Sequence, residues 1–110
     1  MSIKIISKKI LKPTFSRIGL INYTNDLSIQ VKIQDGFISS KSFWKVPIND
    51  RFDKKLIVIS ISKWETTNHW NKWFYSKNRN NIHSNYKDII EKETFSILNE
   101  KLDTDDMFLL

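Results

Sequence analysis

Runs of apolar residues, bounded by proline, glycine and polar clusters, predict four β-strands along the chain. The third, KLIVISISKW, is apolar on both faces, as expected for a central strand that is covered on both sides. Before the second strand, the QDG turn leaves Gly36 free to take a positive φ. The predicted strands are residues 3–12, 37–45, 55–64 and 93–101.

The region from Thr66 to about Ile90 has a helical period, with Thr66 or Thr67 as the expected N-cap. The polar segment SKNRNN (76–81) separates two apolar stripes, so we expect a kink or two short helices there. The stripes are Trp70, Trp73 and Phe74, and then Ile82, Tyr86, Ile89 and Ile90. Tryptophan at helical spacing usually packs in the core, and we expect this of Trp70.

The segment between the first two strands is ambiguous. Its apolar residues fall on one helical stripe, but LSIQVKI (27–33) also alternates apolar and polar residues as a strand would. Periodicity alone does not decide between helix and strand here. The stripe consists of Leu20, Tyr23, Leu27 and Val31.

The length of 110 residues suits one domain, predicted at 1–102, followed by a tail at 103–110. With 40% hydrophobic and 13% aromatic residues the chain can form a core. The order of its elements, βαββαβ, fits the ferredoxin-like α+β fold, in which two helices cover one face of an antiparallel sheet. A small chain of this kind can extend its core by forming a homo-oligomer.

The net charge of +6 does not by itself indicate a nucleic-acid partner, because 15 of the 18 basic residues are lysines spread along the chain. No recognisable nucleic-acid motif occurs. The absence of cysteine excludes disulfides and thiolate metal sites. The charged start MSIKIISKKILKP does not resemble a signal peptide or a membrane span. We therefore expect a cytoplasmic protein with neither a nucleic-acid nor a membrane partner.

Several short motifs, taken in order, resemble the antibiotic biosynthesis monooxygenase (ABM) family. They are the G-F-I-S start of DGFISSKSF, a strand ending in a tryptophan, W-x-x-W, and S-x-x-R-x-x-I. ILKPTF also resembles the family's V-K-P-G strand end, with Thr14 in place of the glycine. The matching residues are Gly36, Phe37, Ile38, Ser39, Trp64, Trp70, Trp73, Ser76, Arg79 and Ile82.

The resemblance implies that residues 14–32 are helical. It also implies a homodimer whose two sheets pack face to face as a dimeric α/β barrel, with a pocket between sheet and helices in each protomer. Members of the family include cofactor-independent monooxygenases of polycyclic aromatic compounds and haem-degrading enzymes. Because a fold hosts many reactions, the site has to be argued from its own residues.

A cofactor-independent oxygenase must bind an aromatic substrate, remove a proton and stabilise the anion that passes an electron to dioxygen. Candidate general bases are His83, Glu65 and Asp88. The candidate substrate-binding residues are the aromatic side chains Trp64, Trp73 and Phe43 and the polar side chains Asn22, Tyr23 and Arg79.

The spacing of Trp73 and His83 resembles that of haem-degrading members, in which a tryptophan precedes the haem-ligating histidine by ten residues. A neutral imidazole can be an axial ligand of haem iron. The strand-one asparagine of those enzymes is missing, since Ile6 or Ser7 lies near its place. His69 has no partner at metal-binding spacing and is expected on the surface. No metal site is predicted.

The leading hypothesis is a small monooxygenase, with His83 and Trp73 as catalytic candidates, that oxidises an aromatic or quinone-like molecule without a cofactor. One alternative is haem binding or degradation through His83. The other is a non-catalytic dimeric ligand-binding protein. Trp64 and Trp70 are expected mainly to pack the core.

Overall fold

A computed structural model of the protein describes residues 2–12, 17–45 and 56–99. The predicted loop 46–54, the first residues of the predicted helix (14–16) and the tail 103–110 lie outside these ranges. In chain order the elements are β1 (Ile3–Leu11), α1 (Arg17–Val31), β2 (Phe37–Trp44), β3 (Ile57–Trp64), α2 (Thr67–Phe74), α3 (Lys77–Tyr86) and β4 (Ile90–Asn99).

The four strands form one antiparallel sheet in the order β2-β3-β1-β4. Strands that are sequential in the chain therefore pair only at β2-β3, and β1 lies between the later strands β3 and β4. This is the arrangement of the ferredoxin-like α+β fold, so the fold class predicted from the order of elements is confirmed.

The segment 14–32, ambiguous by periodicity, is helical from Arg17 to Val31, as the resemblance implied, and Lys32 already lies in the turn that follows. Leu20, Tyr23 and Val31 are buried, so the helical stripe faces the sheet. Tyr86 of α3 donates a hydrogen bond of 2.5 Å to Asp26 and joins α3 to α1. Tertiary packing therefore overrides the strand-like alternation of LSIQVKI.

The second helical region consists of two short helices, as predicted, but the break is not SKNRNN. Ser76 is the N-cap of α3, its Oγ accepting a hydrogen bond from the Arg79 N–H at 3.1 Å, so the polar segment forms the first turns of that helix. Thr66 caps α2 as expected, through the His69 N–H. The prediction that Ile90 belongs to the second helical stripe is wrong. Ile90 begins β4, which starts three residues earlier than predicted.

The hydrophobic core has two clusters on the helix-covered face of the sheet. One is centred on Ile3, Ile5, Val31, Trp64, Trp70 and Trp73, and the other on Leu11, Leu20, Tyr23, Val58 and Ile90. Between the two clusters this inner face carries Ser7 and Lys9 of β1, both buried. The core is therefore interrupted by a polar band in the middle of the sheet.

The opposite, outer face of the sheet is not covered by the helices. The strand register places Ile6, Ile59 and Ile61 on it, together with Lys8 and Lys41. Within a single chain, therefore, the helices cover only the inner face of β3, whereas the sequence predicted cover on both faces. The isoleucines in the middle of this outer face remain partly exposed.

None of the helices in the described ranges combines the length and the apolar character needed to cross a membrane.

Gly36 has the positive φ that the sequence predicts, at 79°, and its carbonyl accepts a hydrogen bond from the Glu65 N–H. A Cβ at this position would lie 2.2 Å from Cγ of His69, which is half-buried rather than on the surface as expected. Glycine is thus required here by both backbone conformation and packing.

Gly36→Ala should lower the free energy of unfolding by about 2 kcal/mol, because alanine disfavours this φ and collides with the His69 ring. Urea unfolding followed by tryptophan fluorescence measures this change. Gly19→Ala is the matched control: its Cβ would meet only the end of the Ile89 side chain, and alanine favours helix α1. Equal stability of Gly36→Ala and wild type would contradict the conclusion that glycine is required at this position.

Candidate functional site

A cavity of about 300 Å³ lies between the inner face of the sheet and the helices. Its apolar side is formed by Ile5, Val31, Trp70, Trp73 and Phe95. Its floor on the sheet consists of five serines: Ser7, Ser40, Ser42, Ser60 and Ser62. Four charged residues also line the cavity: Lys9, Arg79 and Glu93, and Lys41, which is exposed on β2.

The serine floor explains why the cavity exists. Ser7, Ser60 and Ser42 are opposite one another on three adjacent strands, so they form one row across the inner face. The hydroxyls of Ser42 and Ser60 are hydrogen-bonded at 2.8 Å. Small side chains in consecutive rows leave space below α1 that larger apolar residues would fill.

Lys9 places its amine at this floor, and the whole residue is only 3% exposed. Its Nζ donates a hydrogen bond to Ser7 Oγ at 3.1 Å and lies 5.8 Å from the centre of the Tyr23 ring. Within the described ranges no carboxylate forms an ion pair with it. Burial lowers the pKa of Lys9 below its ordinary value; nearby Glu93 opposes this shift and Arg79 adds to it. The amine is therefore biased toward its neutral, proton-accepting form.

Glu93 lies directly opposite Lys9 on β4, but its carboxylate is bound elsewhere. Arg79 donates to Oε1 of Glu93 at 2.8 Å, and both side chains are more than nine-tenths buried. The guanidinium also lies over two aromatic rings, 4.4 Å from the centre of Phe74 and 5.3 Å from that of Phe95. Arg79 thus neutralises Glu93 and leaves Lys9 without an anionic partner.

Tyr23 and His83 both approach the other carboxylate oxygen of Glu93, Oε2. Tyr23 Oη donates to Oε2 at 3.1 Å, and burial, reinforced by the charge of Glu93, raises the pKa of the phenol, so that it stays a donor. Since the single hydroxyl proton is used in this bond, His83 must donate its Nδ1–H to Tyr23 Oη, 3.0 Å away. His83 Nδ1 also lies 3.4 Å from Glu93 Oε2.

The residues predicted as catalytic or substrate-binding are only partly brought together. Trp73 and Arg79 line the cavity, whereas Tyr23 contacts it through Glu93 and Lys9. Trp64 is completely buried, packs edge-on against Phe37 and donates Nε1–H to Ser62 Oγ.

The remaining candidates lie outside the cavity. Asn22 is exposed on α1, and Phe43 is half-exposed on the outer face of the sheet, opposite Ile59. The two carboxylates suggested as general bases, Glu65 and Asp88, are also exposed and do not line it.

His83 does not fit the position of a haem ligand in this cavity. Its side chain is 40% exposed and is not part of the lining, and its Nδ1 is engaged by Tyr23 and Glu93. Haem binding stays a prediction that this geometry does not favour. A haemin titration decides it: a Soret shift that disappears in His83→Ala would support it.

Lys9 and the serine floor were missed by reading the sequence. In IKIISKKIL each face of the strand receives both isoleucines and lysines, so alternation does not reveal which lysine is buried. The serines did leave a signal, because S-x-S occurs in both ISSKSF and IVISISKW and places its two hydroxyls on one face of each strand.

Fold and site together define a ferredoxin-like α+β protein with a partly polar cavity beneath its helices. SnoaB, a cofactor-independent oxygenase from Streptomyces nogalater, has the same fold, with a TM-score of 0.72 and 7% identity over 94% of this chain and 96% of that chain. The hydroxynitrile lyase of Passiflora edulis matches with a TM-score of 0.69 and 17% identity, over 93% and 97% of the two chains. A conserved protein from Methanosarcina mazei Go1 matches with a TM-score of 0.73 and 16% identity, over 92% of this chain and 94% of that chain.

These structural neighbours share the fold that the resemblance to the ABM family implied. At such low identity they establish the shared fold and not the reaction. Comparison of the sequence with family models and with curated proteins finds no match.

Lys9→Met should raise the free energy of unfolding at neutral pH by about 1 kcal/mol or more, because it removes a buried amine that has no ion-pair partner in the described ranges and whose charged form is penalised by desolvation. In the wild type the unfolded chain binds the Lys9 proton more tightly than the folded chain does. The penalty is therefore complete below the folded-state pKa and disappears above the ordinary pKa of 10.5. Urea unfolding at several pH values should show the gain shrinking as pH rises.

Lys72→Met on α2 is the control for this experiment, since its side chain is exposed. It should change the free energy of unfolding by no more than about 0.5 kcal/mol. A loss of stability in Lys9→Met at neutral pH would show that the amine is stabilised by its surroundings, against the present assignment.

Proposed function

We propose that this protein is a small monooxygenase that acts without a cofactor on an aromatic molecule with an acidic C–H or O–H group. The observation that carries the proposal is the buried amine of Lys9, unpaired within the described ranges, at the floor of an aromatic cavity. A neutral amine in such a place can remove a proton, which is the first requirement of the reaction.

Substrate binding is assigned to the walls of the cavity. Trp70, Trp73 and Phe95 offer ring faces and edges for an aromatic molecule, and a volume of about 300 Å³ suits a small one. On α1, Thr24 Oγ1 is buried without a hydrogen-bond partner in the described part of the chain, and Thr24 lines the cavity. A polar group of the substrate would satisfy this hydroxyl.

Proton transfer then creates an ion pair inside the cavity. Lys9 takes the acidic proton and becomes an ammonium, while the substrate becomes an enolate or phenolate. The ammonium gains the anionic partner that Glu93 does not provide, so the pair is stabilised in a setting of low dielectric constant. The hydroxyls of Ser7 and Ser60 can donate to the same anion.

Oxidation follows from the electron-rich anion. It passes one electron to dioxygen, and the resulting substrate radical and superoxide combine through a new C–O bond to a peroxide. The Lys9 ammonium returns its proton to the peroxide, which loses water as the second hydrogen leaves the carbon. A CH₂ group and O₂ thereby become C=O and H₂O, and the substrate itself supplies all the electrons.

The other predicted catalytic residues take supporting roles in this proposal. Trp73 stacks against the substrate at the cavity wall. His83 acts on Tyr23 and Glu93, holding the network that keeps Lys9 unpaired, rather than on the substrate directly. The fold shared with SnoaB, an oxygenase that is itself cofactor-independent, supports the reaction class.

Oxygen uptake with anthrone-type or quinol-type substrates tests this function. We expect uptake by the wild type, a loss of kcat/KM of about 100-fold or more in Lys9→Met, and little change in Lys72→Met. The loss arises because methionine fills the same space but accepts no proton.

Failure of the wild type across a panel of such substrates, while they still quench the fluorescence of Trp70 and Trp73, would overturn the oxygenase proposal. That result would favour a non-catalytic ligand-binding protein. Full activity of Lys9→Met would instead remove Lys9 from the mechanism.

We also propose that a second copy of the chain covers the outer face of the sheet. Ile6, Ile59 and Ile61 are partly exposed there in one chain, and burying them would complete the two-sided cover that β3 is patterned for. The same face carries Lys8 and Lys41, so two copies bring like charges together. Screening by salt should therefore strengthen the dimer.

Light scattering should find a dimer at micromolar concentration, more strongly so at high salt. Ile61→Lys should shift it toward monomer, because it adds a buried charge to the interface. Ile29→Lys on α1 is the control, since Ile29 is an isoleucine that is 63% exposed away from this face. A monomeric wild type at this concentration would contradict the dimer.

A further inference from the structure

We propose that Lys9 is, in addition, a covalent site, at which its amine condenses with the carbonyl group of an aromatic aldehyde or ketone to form an imine. This activity uses the same cavity but requires neither dioxygen nor the oxygenase reaction. It would make the protein a carbonyl-binding protein as well as, or instead of, an oxygenase.

The placement of the amine carries this inference. Lys9 lies in the middle of β1, paired with Val58 on one side and Glu93 on the other, so its backbone is held by both neighbouring strands. Its Nζ has one hydrogen-bond partner in the described ranges, Ser7 Oγ, and Lys9 is one of the residues that line a cavity with aromatic walls. A carbonyl carbon on a flat aromatic ligand can approach this nitrogen.

Burial of Lys9 favours the neutral amine, which is the nucleophilic form. The one carboxylate opposite it on the sheet, Glu93, is bound by Arg79 and Tyr23. Arg79 lines the same cavity and contributes a permanent positive charge. Desolvation is the main cause that lowers the pKa of Lys9; the charge of Glu93 opposes it, and the smaller effect of Arg79 adds to it.

The condensation balances with groups at the site. The lone pair of Nζ forms a bond to the carbonyl carbon as the carbonyl π pair moves to oxygen, and one amine proton passes to that oxygen. The resulting hydroxyl leaves as water with a second proton, and the nitrogen lone pair closes the C=N bond. The hydroxyls of Ser7 and Ser60, opposite each other on the cavity floor, can relay these protons. Amine plus carbonyl thus becomes imine plus water, without oxidation or reduction.

Reductive trapping tests the proposal. The whole protein is incubated without oxygen with substoichiometric 2-naphthaldehyde and cyanoborohydride at about pH 6.5, where ordinary lysines are protonated. Intact mass and peptide mapping then measure labelling at each lysine. We expect one main adduct, at Lys9, formed at least about ten-fold faster than at any other lysine.

Two variants sharpen the result. Lys9→Arg keeps a cation but cannot form the imine, and should remove the main adduct. Lys8→Met changes the neighbouring lysine, which faces the other side of the sheet, and should leave labelling unaffected. Near-UV circular dichroism checks that Lys9→Arg is folded.

Labelling spread over many lysines, with Lys9 no faster than the exposed ones, would overturn the imine site. So would an unchanged main adduct in Lys9→Arg. Because the wild type alone ranks its lysines, the proposal stays testable even if the arginine variant does not fold. Trapping at Lys9 without oxygen uptake would support the imine site while refuting the oxygenase.

Discussion

The packing of the helices on the sheet depends on the hydrogen bonds and the ion pair that the Glu93 carboxylate forms. Glu93 lies on β4 and binds Arg79 of α3 through one oxygen and Tyr23 of α1 through the other. His83 adds a second link from α3. One buried carboxylate thereby fixes two helices to the sheet, at the level where the hydrophobic core is interrupted. Removing one partner of such a buried pair would leave an uncompensated charge, so the members of the network are mutually dependent.

The same network makes the cavity chemically useful. A lysine opposite a glutamate on neighbouring strands would ordinarily form an ion pair with it. Here the guanidinium of Arg79, held over Phe74 and Phe95, has taken the carboxylate, and the Lys9 amine faces a cavity walled by serines and aromatic rings. Keeping an amine buried and unpaired costs stability, and such costs are typical of functional sites. The stability of the fold and the reactivity of Lys9 thus both follow from which cation binds Glu93.

Part of this site was accessible from the sequence. Trp73, named for its ring and its spacing to His83, and Arg79, named as a polar contact, both line the cavity. Phe43 and Asn22 were named on residue type alone, but strand register and helix orientation direct them away from the cavity. Trp64 is on the inner face, but it is completely buried in the core and does not line the cavity. Lys9 was not identifiable, because burial of a lysine depends on the elements packed above it. Nor does the chain reveal that Glu93 would meet Arg79, 14 residues earlier, and Tyr23, 70 residues earlier.

By itself the sequence determined where the four strands lie, the N-cap of α2 to within one residue (Thr66 or Thr67) and the positive φ at Gly36, since these depend on local periodicity and backbone sterics. The order of those elements also restricted the fold to a ferredoxin-like sheet. Periodicity left residues 27–31 undecided and the resemblance predicted a helix there; the tertiary structure decided that they are helical and which lysine is buried. Both outcomes depend on contacts between residues far apart in the chain, where the free energy of packing and desolvation outweighs local preference.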